Sequence, residues 1–184
     1  LLFKLLKTIM FSEIFKLKEL SAKLGNDLSL IQASGGNTSI KLGDKLLVKA
    51  SGKKLKNALN EDIFVSLDLI KIRNELATNK SKKELNFKNI CGSSLRASIE
   101  TSLHAIMPYK VVLHTHSVDT IAITLLSNSY NYLSKLMKDI NWKFIPYFKP
   151  GITLAKAISK EFQDNPTPAN VLVLANHGLV VGEE

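Results

Sequence analysis

Cysteine is all but missing from this sequence. Cys91 stands alone, so the chain cannot close a disulfide on itself, and a reducing, cytoplasmic setting suits it. Arginine is nearly as scarce, occurring only at Arg73 and Arg96, although the formal net charge is +9. Nucleic-acid readers lean on arginine forks and exposed aromatic rings. Here the charge is scattered lysine and aromatics make up 7% of the chain, so it reads as a solvated surface, with no nucleic-acid partner. A small anionic substrate remains compatible with it. Long apolar runs are absent too: none reaches the roughly 18 residues of a membrane span, so no membrane partner is expected. The opening LLFKLLKTIMF is broken by Lys4 and Lys7 and lacks a small-residue cleavage site, which argues against a signal peptide.

What remains is ample material for a core. With 45% hydrophobic and 22% charged residues over 184 positions, the chain reads as one globular domain. It begins with Leu and ends at Glu184, directly after an apolar run. Residues 1–11 are therefore read as an N-terminal extension, and residues 12–184 as a domain whose C-terminal end is missing.

Apolar spacing predicts a helix from Ser12 to about Lys23, stopped by Gly25-Asn26-Asp27. A short strand is expected over Leu28–Ala33, then a hairpin of 40–42 and 45–50 turning at Gly43-Asp44. Ile63–Leu67 reads as a strand, and Asp68 can cap a helix over Leu69–Ala77. Residues 79–89 read as an exposed polar loop. Helices are expected over Ser98–Met107, Val118–Leu126, 131–140 and Thr153–Phe162. Strands are expected over 111–116, Phe144–Phe148 (an edge strand, given Pro146), 171–175 and Leu179–Val181. Alternating helices and strands with several hairpins imply an α/β fold, a mixed and largely antiparallel sheet covered by helices on both faces.

Chemistry concentrates in the histidines. His114 and His116 lie two apart in an apolar strand, so both rings leave one face, with bases roughly 6–7 Å apart. Two imidazoles at that distance can share a metal ion. His177 sits in a tight Asn-His-Gly turn after a buried strand, where Gly178 permits a positive φ that can aim the ring back across the sheet. Three neutral imidazoles leave an open coordination position, the arrangement of a catalytic ion. Glu100 falls in the first turn of the expected Ser98 helix, where the helix dipole keeps it ionised and where it can serve as a general base beside the metal. His104, four residues on, is read as a support for its neighbours rather than a ligand. The loops Ser34–Ser39 (SGGNTS) and Ala50-Ser51-Gly52 offer backbone N–H groups and hydroxyls to an anion, with Ser98 to complete the cradle.

Taken in order, SGGNTS (34–39), KASG (49–52), SIETSLHA (98–105), HTHSV (114–118) and NHGLVV (176–181) resemble the class II aldolase/adducin family from about Ser12 onward. The resemblance implies a three-layer α/β/α sandwich, a homotetramer, and a Zn2+ or similar divalent ion on His114, His116 and His177. It implies Glu100 as the catalytic acid/base, and Gly36, Asn37, Ser51, Gly52 and Ser98 as ligands of a sugar phosphate. The implied reaction is retro-aldol cleavage of a ketose 1-phosphate, through an enediolate, to dihydroxyacetone phosphate and an aldehyde. A 4-epimerase, a dehydratase or a non-catalytic adducin-like domain are the alternatives, and a dehydrogenase domain could follow Glu184. One position departs from the sugar-phosphate aldolases: Ile99 stands where they often carry a second serine before the glutamate.

Overall fold

A computed structural model describes residues 2–79, 85, 87, 94–165 and 167–184, with side chains in the first helix from Ile9 onward. The first helix, α1 (Leu2–Gly25), starts earlier than expected. Ser12 does not cap it, because the leucines and lysines before it are themselves good helix formers. Leu28–Ala33 is not a strand. Asp27 accepts from both Ser29 N and Ser29 Oγ, and its carbonyl takes the N–H groups of Leu30 and Ile31, which winds the segment into turns.

Seven strands then form one sheet: β1 (Asn37–Leu42), β2 (Lys45–Lys49), β3 (Phe64–Asp68), β4 (Val111–Thr115), β5 (Trp142–Ile145), β6 (Val171–Leu174) and β7 (Gly178–Glu183). Their order is β3-β2-β1-β4-β7-β6-β5, and only the β5–β6 pair is parallel. β5 lies at the edge, as expected, but it stops at Ile145, before Pro146, instead of running on to Phe148. Asp68 caps α2 (Leu69–Thr78) by accepting from Lys71 N at 2.8 Å. The remaining helices are α3 (Thr101–Ile106), α4 (Val118–Thr124), α5 (Ser129–Leu136) and α6 (Ile152–Gln163). α3 is shorter than the expected Ser98–Met107. Of the expected loop 79–89, Phe87 is buried against the core rather than exposed, and most of the rest lies outside the described residues.

Strand alternation sorts the core. Leu46, Val48, Val112, Leu172 and Val180 point to the face covered by α2, α3 and α6. Ile40, partly buried Leu47 and Val111 point to the other, where Leu17 and Ala22 of α1 meet them. The result is a three-layer α/β/α sandwich. Each fully buried Leu or Val contributes about 1.5–3 kcal/mol through burial. Among the described residues no helix is long and apolar enough to cross a membrane.

The pairing has one consequence for chemistry. β1 starts opposite the end of β2 and the end of β4, and β7 starts opposite the end of β4 and the end of β6. Antiparallel order therefore gathers the loop before β1, the segment after β2, the end of β4 and the β6–β7 turn along one edge of the sheet.

Candidate metal centre

Three rings meet at that edge. His114 is the fourth residue of β4 and lies in register with Asn37 of β1 and Val180 of β7. His116 follows one residue past the strand end. His177 tops the β6–β7 turn, in which Asn176 has φ 55° and Gly178 φ 150°. A Cβ on Gly178 would stand 2.1 Å from the Thr115 carbonyl oxygen, so glycine is required for the turn to lie this close to β4. Ring centroids are 5.0 Å apart for His114–His116, 4.8 Å for His114–His177 and 5.4 Å for His116–His177. One nitrogen from each ring lies within 4.8 Å of the other two.

All three rings are held neutral. Burial, and then the mutual repulsion of protonated His177, His116 and His104, pushes His114 well below the usual range, against a smaller opposing effect of its bond to Leu179. Burial, then His116, lowers His177 to about 4. Burial, then Lys49, lowers His116. His114 Nδ1–H donates to the Leu179 carbonyl at 3.1 Å, which leaves the lone pair on Nε2. That Nε2, and Nδ1 of His177, are buried and have no hydrogen-bond partner among the described residues. The free lone pair on His114 Nε2, with one nitrogen of each other neutral ring within 4.8 Å, is a donor set that fits a divalent ion of the zinc type.

Glu100 is buried beside them, with Oε1 3.9 Å from His177 Nε2. It does not sit in the first helical turn, as expected, but at the N-cap of α3, after a turn closed by Thr101 N donating to Ser98 O. Ser98 Oγ accepts from Glu100 N at 3.2 Å and from Asn37 Nδ2 at 3.4 Å. His104 faces β1 rather than the rings' meeting point, sharing a 2.7 Å hydrogen bond with Ser39. Burial first, then the charges of Lys41 and Lys49, pushes it down to about 3.

A cavity of about 280 Å3 opens beside the rings. Gly36, Asn37, Ser51, Gly52, Ser98, Glu100, His116 and His177, all singled out from the sequence, line it. Only His114 lies behind the lining, fully buried. Gly36 has φ 64°, and a Cβ there would meet Ile31 Cδ1 at 2.2 Å and the His114 carbonyl at 2.9 Å. Sequence reasoning missed Lys49 and Pro150 as lining residues, and Ile99, noted as a departure from the phosphate-binding pattern, lines the cavity too. Lys49 is 2% exposed, and its ammonium donates to Ser34 O at 2.9 Å and Lys53 O at 2.8 Å. Its burial lowers its pKa to about 8. The available signal was a lysine directly following the apolar run Leu46-Leu47-Val48.

Comparison with known proteins identifies the family and the fold. Residues 16–184 match the model of the class II aldolase and adducin N-terminal domain. The uncharacterised oxidoreductase YuxG of Bacillus subtilis (strain 168) is 33% identical over 178 residues, covering 88% of this chain but 25% of that protein. The L-fuculose phosphate aldolase of Methanocaldococcus jannaschii is 26% identical over 159 residues, covering 84% of this chain and 75% of that one. Among solved structures, the N-terminal class II aldolase domain of a conserved Thermoplasma acidophilum protein superposes with a TM-score of 0.73 at 26% identity, covering 91% of this chain and 82% of that one. The chain spans about a quarter of YuxG, and most of the length of the other two. With the family model matched over residues 16–184, this chain belongs to the class II aldolase and adducin N-terminal domain family.

Proposed function

We propose that this chain is a zinc-dependent aldolase module that reversibly cleaves a ketose 1-phosphate to dihydroxyacetone phosphate and an aldehyde. The observation that carries the reading is Glu100, buried 3.9 Å from His177, at a cavity shared by the ring cluster and the glycine–serine loops. A divalent ion on His114, His116 and His177 would supply a Lewis acid that draws negative charge onto a substrate oxygen. The chain's own groups do the rest. Burial keeps the rings neutral, so they need shed no proton before serving as ligands near neutral pH. Ser98 Oγ already accepts two hydrogen bonds, so its own hydrogen is available to a phosphate oxygen. Ser51, Gly52, Gly36 and Asn37 add hydroxyl, backbone and amide donors around the same opening. Glu100 takes or returns the proton at the carbon that bears the electron pair once the C3–C4 bond breaks.

Self-association as a tetramer belongs to the same reading. Exposed Leu125, Tyr130 and Leu136, around α4 and α5, supply apolar surface for it. Keeping all three histidines argues against a non-catalytic domain.

The test is Glu100→Gln. The variant is expected to bind zinc as the wild type does and to lose proton exchange at C3 of dihydroxyacetone phosphate by about 100-fold or more, followed by NMR in deuterated water. Undiminished exchange would reject the role given to Glu100.

A further inference from the structure

We propose that Arg96 is the charge-bearing arm of the anion site, and that it makes this chain selective for a substrate carrying a phosphate. The inference rests on the aldolase reading for the identity of that substrate. A second cavity, of about 310 Å3, adjoins the metal-side cavity and shares Ser51, Ser98 and Ile99 with it. Arg96 lines the second cavity, so Ser51 and Ser98 are common to the opening lined by His116 and His177 and to the one lined by Arg96.

The backbone holds that arrangement. Ala97 forms an antiparallel bridge with Ala50, and Ser51 N donates to Arg96 O at 2.9 Å. In extended chain, residues two apart leave the same side, and Arg96 and Ser98 both line the second cavity. Beyond Lys49, positive charge is what the rest of the site lacks. Ser51, Gly52, Gly36, Asn37 and Ser98 offer only neutral donors to a group of nearly two negative charges. Ile99 offers none, and is 56% exposed between the cavities. Lys49, the other cation lining them among the described residues, is buried and gives two of its three ammonium donors to carbonyls. The Arg96 side chain is exposed and forms no ion pair or hydrogen bond among the described residues. A planar fork with free donors is the group that binds phosphate bidentately.

The zinc-loaded chain is titrated calorimetrically with dihydroxyacetone phosphate, with inorganic phosphate and with dihydroxyacetone. For Arg96→Ala, affinity for the two phosphates is expected to fall about 10-fold or more, with dihydroxyacetone unchanged. Arg96→Lys should fall between, keeping the charge and losing the fork. Because the Arg96 side chain is exposed and its carbonyl makes the bond to Ser51, neither change threatens the fold. Phosphate affinity unaltered in Arg96→Ala, or lost in parallel with that for dihydroxyacetone, overturns the proposal; so does a wild type that binds no phosphate. Failure of the aldolase reading looks different. Wild type would then lack proton exchange while Arg96→Ala still lost phosphate affinity.

Discussion

His104 offers the sharpest test of the electrostatics, because its ring is fully buried and titrates far from its solution value. Burial and the charges of Lys41 and Lys49 lower it to about 3 in the folded chain, against about 6.5 when unfolded. Between those values the unfolded chain binds a proton that the folded chain refuses. Stability then falls as pH falls, by about 1.4 kcal/mol per pH unit for each such histidine. From neutral pH down to pH 5, His104 alone costs about 2 kcal/mol. His177, lowered to about 4, and His114, held well below its ordinary value, act over the same window. A glutamine at position 104 can keep a hydrogen bond to Ser39 and does not titrate. His104→Gln should therefore remove about 2 kcal/mol of the loss between pH 7 and pH 5. Urea unfolding of the chelator-treated protein at several pH values measures this directly. If wild type and variant lose stability along parallel curves, His104 is not the buried neutral group described.

Two further substitutions test the ring cluster. His116→Ala leaves two imidazoles, so zinc bound per chain after dialysis should fall from one equivalent to a small fraction, read by elemental analysis; full retention would show that the third ring is no ligand. Gly178→Ala places a Cβ 2.1 Å from the Thr115 carbonyl at φ 150°. It should lower stability by about 3 kcal/mol or more and weaken zinc binding with it, and an unaltered thermal transition would contradict the turn geometry.

The ring cluster was legible in the sequence because its geometry is local. Two-residue spacing in a strand orients His114 and His116, and a glycine after His177 permits its turn. Asp68, likewise, caps the helix it precedes. Asn37, Thr38 and Ser39 read as loop because asparagine and serine are poor strand formers. They are strand because β4 pairs with them, Asn37 to His114 and Ser39 to Val112, which no local propensity encodes. Leu28–Ala33 failed for the opposite reason. Its apolar residues suggested a strand, while the Asp27 side chain and carbonyl captured four neighbouring donors. Lys49 and Arg96 were invisible as site residues because each depends on a long-range contact: the carbonyl of Ser34 for one, the Ala50–Ala97 bridge for the other.

Function and fragility at this site share one cause. Burial lowers the basicity of the rings, which keeps their lone pairs free of protons well below neutral pH. The same burial gives the unfolded chain its advantage in acid, since only there can the imidazoles charge. An ion bound to the folded rings opposes that advantage by mass action, about 2.7 kcal/mol when its concentration is 100 times its dissociation constant. Glu100 and Ser98 are tied to the outcome, because the turn that sets them is held to Asn37, and Asn37 pairs with His114. Loss of such an ion in acid would therefore endanger the strand that carries His114 and the turn that carries Glu100 together.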